Sequence, residues 1–434
     1  TNAKIYTFSM WIKKCSNGVI NWISSAPGDF SNINFDANDK IDWMEYTSGY
    51  KYRMVTTRVF RDPAAWYHLC FTFDSTESVA GDRCKIYVNG VEETAFTTET
   101  QPALDYSSVM NSAVLHAIGS QEAEGYSNYG NILLSHVHFI DGTAYPASTF
   151  GETDSDTGEW KIKTSVSVTY GDNGFFIFKD NASVTDLSGE GNNWTVSNGT
   201  LTPTEACPDD IFATLNPLAY ASLAGGTLSN GNNTWVTGNT YYTYTPATLG
   251  VSKGKFYWEV EYDAKSGGVD EPMVGITSTQ TTSSTYALGD APNDWAYYTG
   301  NVTPYYWNNN AGTSYGTAYT VGDVICVALD ADNSKLYFRI NGGSWENSGD
   351  PTSGGLGTGA ISITAPASTP LGAYFPAVSY YSGSNNGTFK ANFGNGYFGT
   401  TIISSEGTNA SGIGKFEYDV PAGYTALSTK GLNE

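Results

Sequence analysis

Runs of Ala, Leu, Glu and Lys long enough to build helices are nearly absent from this chain. Charge is also sparse, at 15% of residues, and one-sided, with 43 Asp and Glu against 21 Lys and Arg. The resulting formal charge of −22 repels a phosphate backbone and argues against nucleic acid as a partner. Its simplest role is to keep a Gly- and Tyr-rich protein dissolved. No apolar stretch approaches the roughly 18 residues of a membrane-spanning helix, and no signal-peptide pattern is visible. Methionine and cysteine are scarce, at 5 each. The cysteines (Cys15, Cys70, Cys84, Cys207, Cys326) are scattered, odd in number and without a Cys-x-x-Cys pair. That pattern indicates neither a zinc site nor a dense disulfide framework. A Cys70–Cys84 bridge is the one pairing to weigh against reduced, buried thiols, the default inside a reducing cytoplasm.

What the chain has in quantity is glycine (48), tyrosine (31), phenylalanine (20) and tryptophan (11) in 434 residues. Aromatic and β-branched side chains suit pleated, half-buried surfaces, and Gly with Asn supplies turns. The fold class expected is all-β, as two antiparallel β-sandwiches, because the length exceeds one ordinary core. Two hairpin signatures support the pairing. Leu69-Cys70-Phe71-Thr72-Phe73-Asp74 leads through a polar excursion to Lys85-Ile86-Tyr87-Val88-Asn89-Gly90. Val324 to Asp330 leads likewise to Lys335-Leu336-Tyr337-Phe338-Arg339-Ile340-Asn341-Gly342. Asn and Gly tolerate the positive φ that tight turns demand.

Short strands separated by turn clusters run through the first 150 residues. Phe8 to Lys13, Trp66-Tyr67-His68, Lys85 to Gly90, Ile118-Gly119-Ser120 and Gly130 to Asp141 resemble laminin-G-like, concanavalin-type lectin sandwiches. Gly174 to Phe178 followed by Asp186 to Trp194 is similar to the opening strand and turn of such domains, yet comes last. That order implies a circularly permuted sandwich over 1–200, with 171–200 returning to complete the sheet. Pro203, Pro208 and Pro217 mark 201–222 as a connector. Within 223–396, Gly254 to Glu261, Val274-Gly275-Ile276, Gly322 to Asp330 and Tyr374 to Val378 resemble a SPRY domain. Residues 397–434 read as a C-terminal packing tail.

The pair of domains, with Val59 to His68 and Phe150 to Trp160, resembles structural proteins of marine bacteriophages, including cyanophages. That resemblance implies a tail-fibre or other virion-surface component, assembled in the host cytoplasm and displayed as a homo-oligomer. The partners it implies are other virion subunits and host-surface carbohydrate, with no nucleic acid and no membrane insertion. The chain opens at Thr1 inside a strand-like pattern, which reads as a processed product or a portion of something longer.

Six aromatics crowd the segments Asp294 to Asn301 and Pro304 to Asn310, among Asn, Gly and Thr. Flat rings stack on sugar faces or anchor interfaces, and neighbouring amides orient hydroxyls. The binding residues expected are therefore Tyr298, Tyr305, Tyr306, Trp307, Asn308 and Tyr381, with Trp295 and Tyr297 resembling core positions. Asp154 and Asp156 in one acidic loop and Asp186 in another are candidate ligands of a structural calcium, the one cofactor the sequence suggests. Both loops read equally as Asp/Gly turns. His136 and His138 alternate on one strand without an evident third metal ligand. Glu259 and Glu261 have the i, i+2 spacing of some glycosidase carboxylates, but the SPRY resemblance makes their strand structural and puts both on its outer face. No catalytic residue is assigned. The function expected is a non-enzymatic virion protein, with an assembly-only decoration protein as the alternative and a polysaccharide depolymerase as the weaker one.

Overall fold

Strand Ile5–Lys14 alternates along its length: Tyr6, Phe8, Met10 and Ile12 enter a core, while Thr7, Ser9 and Trp11 face away from it. In the computed structural model, which describes residues 2–26, 30–121, 129–219, 226–238, 242–267, 271–279, 281, 286–299, 303–381 and 385–433, this strand lies central in a six-stranded sheet. The sheet order is Phe175–Ile177, Ile132–Asp141, Ile5–Lys14, Trp66–Asp74, Cys84–Val88, Val91–Glu92. A second sheet runs Leu115–Ile118, Ile20–Ala26, Phe30–Phe35, Ile41–Tyr46, Tyr50–Thr56, Phe96–Thr100. Trp22, Ile33, Phe35, Trp43, Tyr52 and Met54 from this second sheet meet the aromatic face of the first. Period-2 alternation on both sheets thus yields the expected antiparallel sandwich. Phe175–Ile177 pairs antiparallel with Ile132–Asp141 as an edge of the first sheet.

The second sandwich repeats the plan. One sheet runs Thr227–Ser229, Thr234–Val236, Gly387–Asn392, Lys255–Lys265, Val324–Asp330, Lys335–Ile340, Ile361–Ser362, with Thr425–Ala426 joined parallel to Lys255–Lys265. The other runs Tyr242–Pro246, Phe375–Tyr381, Glu271–Thr277, Asp294–Thr299, Pro304–Asn308, Ala311–Ser314. Trp258, Val260, Val274, Tyr297, Val327 and Phe338 sit in the core between them. Tyr257, one residue from Trp258, points to the opposite face and packs edge-on against Phe416 at 5.0 Å.

By contacts the chain divides into Thr1–Leu201 with Cys207–Asp209, and Thr202–Ala206 with Asp210–Glu434. Much of the segment read as a connector is packed: Phe212, Ala213 and Leu215 are buried, and the Ala213 amide donates to Leu427 O at 2.9 Å. Three prolines suppress regular strand pairing there without preventing burial. The Cys70–Cys84 bridge is not made. Cys84 lies opposite Phe73 and enters the core, whereas Cys70 faces the other side of its sheet. Strand alternation therefore points the two thiols apart.

Candidate functional site

Each sandwich has an outer sheet face covered by its own chain beside an Asn-Gly turn, and the two turns position these covers; the outer face of the second sandwich's other sheet is covered in part by Ala287 and Leu288. Asn89 and Gly90 take φ of 49° and 79°, and Asn341 and Gly342 take 50° and 66°. In the first sandwich the Asn89 amide donates to His68 O while its Oδ1 accepts the His68 amide, each at 2.8 Å. Asn341 makes the same pair of hydrogen bonds with Val324, its amide donating to Val324 O and its Oδ1 accepting the Val324 amide, each at 2.8 Å. The glycines then serve as seats. A Cβ on Gly90 would lie 2.4 Å from the Trp160 ring, and one on Gly342 would lie 2.3 Å from the Tyr418 ring.

On the first sandwich the cover carries Phe150, Trp160 and Tyr170 over Cys70, Tyr87 and Ile140. Beneath it Ser9 Oγ lies 2.9 Å from His68 Nε2, a distance that invites a nucleophile–base reading. Trp160 settles the tautomer. Its indole Nε1–H donates to His68 Nδ1 at 3.0 Å, so the histidine's own proton sits on Nε2 and points at the serine. An imidazole that already donates to the hydroxyl is no base for it. Burial also drives the His68 pKa down to about 3, keeping the ring neutral. His138 Nδ1 meets the Tyr170 hydroxyl at 2.9 Å and stacks on Phe176 at 4.0 Å. His136 starts a bulge at φ 48° and contacts Ser135 Oγ at 2.8 Å. Among the described residues no group of three or more His, Cys, Asp or Glu could hold a metal ion.

The candidate calcium ligands lie in two separate loops. Asp154 Oδ1 accepts the amides of Asp156 (2.9 Å) and Thr157 (3.0 Å), and its Oδ2 pairs with Lys161 Nζ at 2.9 Å. Asp156 is exposed. Asp186 accepts the amides of Phe176, Ser188 and Asn192 and the Ser188 hydroxyl, at 2.7–2.9 Å. In both loops the carboxylate organises its own turn, and N–H and O–H donors occupy the oxygens a cation would use.

On the second sandwich the cover is the tail, and Glu259 holds it. This side chain is 0% exposed although it lies on the sheet's outer face, because 415–419 crosses over it. It accepts the amides of Glu417 (3.0 Å) and Tyr418 (2.9 Å), the Tyr257 hydroxyl (3.0 Å) and Asn392 Nδ2 (3.2 Å). Burial pushes its carboxyl up to about 7 against these four donors. Arg339, stacked 4.7 Å from Trp345, donates to Asp419 O from the far side. Glu261 instead faces Lys390 at 3.3 Å, so the i, i+2 carboxylates have separate partners.

The opposite sheet of this sandwich carries the aromatic segments. Residues 300–302 and 382–384 of the segments read from sequence lie outside the described residues. Cross-strand register sorts the rest. Tyr244, Ser379, Met273, Tyr298 and Tyr305 form one row on the outer face. Ala377, Gly275, Ala296 and Trp307 form the next, and Tyr242, Tyr381 and Glu271 flank the first. Tyr242 and Tyr381 lie 4.7 Å apart, Tyr298 stacks on Tyr305 at 6.2 Å, and Tyr298 lies 6.0 Å from Trp307. All five rings are half-buried. Tyr306 lies on the inner face, 6.0 Å from Trp295 and 6.1 Å from Tyr315, against the core. Asn308 donates both amide hydrogens to Pro292 O and Asp294 O, and so closes a turn. Four of the six expected binding residues (Tyr298, Tyr305, Trp307, Tyr381) therefore share one face, and alternation turns Tyr306 away from it.

Sequence reasoning missed three members of that face. Tyr242 comes from a strand more than 50 residues earlier, and its alternation with Tyr244 was the available signal. Glu271 lies opposite Tyr381. Asp290 accepts Trp307 Nε1–H at 3.4 Å and the Ala287 amide at 2.9 Å.

Comparison with known proteins agrees with this layout. Residues 1–147 match the Laminin_G_3 family model, the concanavalin A-like lectin/glucanases superfamily, and residues 255–396 match the SPRY domain. No curated protein matches the chain. Among solved structures, a stonustoxin is 22% identical over 42% of this chain, with a TM-score of 0.28; the match spans 27% of that toxin chain. The SPRY domain of human HERC1 is 16% identical, covering 42% of this chain and 94% of that one, with a TM-score of 0.30. The TRIM65 PSpry domain is 14% identical, covering 42% and 91%, with a TM-score of 0.28. A laminin-G-like, concanavalin-type domain is followed by a SPRY domain, and modules of both kinds typically bind rather than catalyse.

Proposed function

We propose that this chain is a non-enzymatic, virion-displayed protein of a bacteriophage, an appendage or fibre component that binds host-surface glycan through its second sandwich. The observation that carries the binding reading is the outer face holding Tyr242, Tyr298, Tyr305, Trp307 and Tyr381, five half-buried rings on one sheet. Such rings offer large, flat, amphipathic contact area at low cost in side-chain entropy. The virion setting rests on the sequence resemblance alone. Display in many copies on a particle would raise weak single-site binding through effective concentration. The tautomer of His68 and the occupied oxygens of Glu259 fit a role without catalysis.

Glycan-array binding by the intact chain tests this reading, using Tyr305→Leu and Tyr381→Leu as face variants and Tyr306→Leu as an inward control. The expected outcome is array binding that weakens at least about tenfold in each face variant while their melting temperatures hold. Unaltered binding in both face variants would overturn the assignment. Their loss of assembly into particles, with no glycan bound, would favour the decoration role.

A further inference from the structure

The charge around the aromatic face narrows its ligand. None of the six strands of that sheet contains Lys or Arg: they read Tyr-Thr-Tyr-Thr-Pro, Phe-Pro-Ala-Val-Ser-Tyr-Tyr, Glu-Pro-Met-Val-Gly-Ile-Thr, Asp-Trp-Ala-Tyr-Tyr-Thr, Pro-Tyr-Tyr-Trp-Asn and Ala-Gly-Thr-Ser. Two carboxylates border the rings. Glu271 stands opposite Tyr381; burial raises the Tyr242 hydroxyl pKa most, and Tyr381, Asp290 and Glu271 add to it in turn by their charge. Neither is in an ion pair among the described residues.

Asp290 already accepts hydrogen bonds from the protein. Asp290 takes the Ala287 amide on Oδ2 and the Trp307 indole on Oδ1. Burial raises the Tyr298 hydroxyl pKa, and the nearby Glu271 carboxylate raises it further. The Asp290 lone pairs are partly used, but among the described residues neither carboxylate is paired with a cation. The π-faces of Tyr242, Tyr298, Tyr305, Trp307 and Tyr381 add negative potential of the same sign. A ligand group matching this arrangement is positively charged, apolar at its surface and without need of hydrogen bonds.

We propose that the group recognised on this face is a quaternary ammonium, such as a trimethylammonium substituent on a larger surface ligand. The inference rests on the reading of the face as the binding surface. It replaces a neutral sugar ring with a cation as the element that the rings and carboxylates select. A primary ammonium fits less well, because the ring faces that make up most of this surface accept hydrogen bonds poorly and would strip its hydration. A neutral hydrocarbon fits less well because it gains nothing from Glu271 and Asp290.

The probes are choline chloride, its uncharged carbon isostere 3,3-dimethylbutan-1-ol, and a neutral methyl hexoside. Each is titrated into the full chain and followed by saturation-transfer NMR on the ligand methyl groups. Choline is expected to bind saturably and at least about tenfold more tightly than the isostere. Glu271→Gln is expected to weaken choline about fivefold or more and to leave the isostere unchanged. Tyr305→Leu should weaken both. Equal binding of choline and isostere, or an unaffected Glu271→Gln variant, overturns the cation inference and leaves the face reading standing. Hexoside binding without choline binding does the same. Absence of binding by all three probes, with no difference on Tyr305→Leu, removes the inference and the face reading together.

Discussion

Glu259 shows how one side chain can be placed on an outer face and still be buried. The residues that bury it, Glu417 and Tyr418, lie 158 and 159 positions away in sequence, so the strand pattern around it carries no sign of them. The consequence is a pH effect of definite sign. An ordinary Glu carboxyl titrates near 4.5, and this one is raised to about 7 by burial. Between those values the folded chain holds a proton that the unfolded chain has lost, so stability falls as pH rises from about 4.5 to about 7. The contribution is on the order of 3 kcal/mol at most, given 1.36 kcal/mol per pKa unit. Glu259→Gln keeps the shape and removes the titration. Urea unfolding at pH 5 and pH 8 should show the midpoint of the second sandwich dropping in the wild type and hardly moving in the variant. Equal drops in both would assign the pH dependence to other groups.

At the scale of elements, the Asn-Gly turns were the most legible feature, because turn chemistry is local. Positive φ at Asn89, Gly90, Asn341 and Gly342 follows from residue type alone. What the turns do was not legible: the asparagine brackets His68 or Val324 on the neighbouring strand, and the glycine beds Trp160 or Tyr418 from a covering segment. The two jobs separate by mutation. Asn341→Gly keeps the backbone conformation and loses the side-chain acceptor, at a cost of about 1 kcal/mol. Gly342→Ala puts a Cβ at positive φ, costing about 1–2 kcal/mol, and also displaces the Tyr418 ring. Calorimetry should therefore find Gly342→Ala the more destabilising of the two. The reverse order would mean that the bracket, rather than the seat, holds the cover. The aromatic segment was legible in the same partial way. Composition located the crowded rings, but only register against neighbouring strands separates outward Tyr305 and Trp307 from inward Tyr306. Composition likewise showed charge to be sparse and mostly acidic, whereas the placing of Glu271 opposite Tyr381 and of Asp290 against Trp307 needs strand register and distant segments.

At the scale of the molecule, both sandwiches were foreseeable from short alternating strands, because sheets that bury one face impose that alternation. Their covers were not, since a proline- and glycine-rich segment carries no period to read. In the second unit that cover is structural in a strong sense: Thr425–Ala426 adds to the central strand, Leu427 joins the core, and Asp419 O receives Arg339. A chain ending at Ile403 should lose the second unit's resistance to proteolysis, with cuts appearing between 210 and 403, while fragment 1–201 stays resistant. Equal resistance of 210–403 would show the tail to be dispensable. The bond from Ala213 to Leu427 and the Phe212–Ser428 bridge have a further consequence for time. Residues 212 and 213 leave the ribosome on the order of 10–40 s before their partners, at about 5–20 residues per second. During synthesis the second sandwich thus waits with one sheet face uncovered and its first segment unpaired. That interval, rather than the finished fold, is when neighbouring copies have access to its interior.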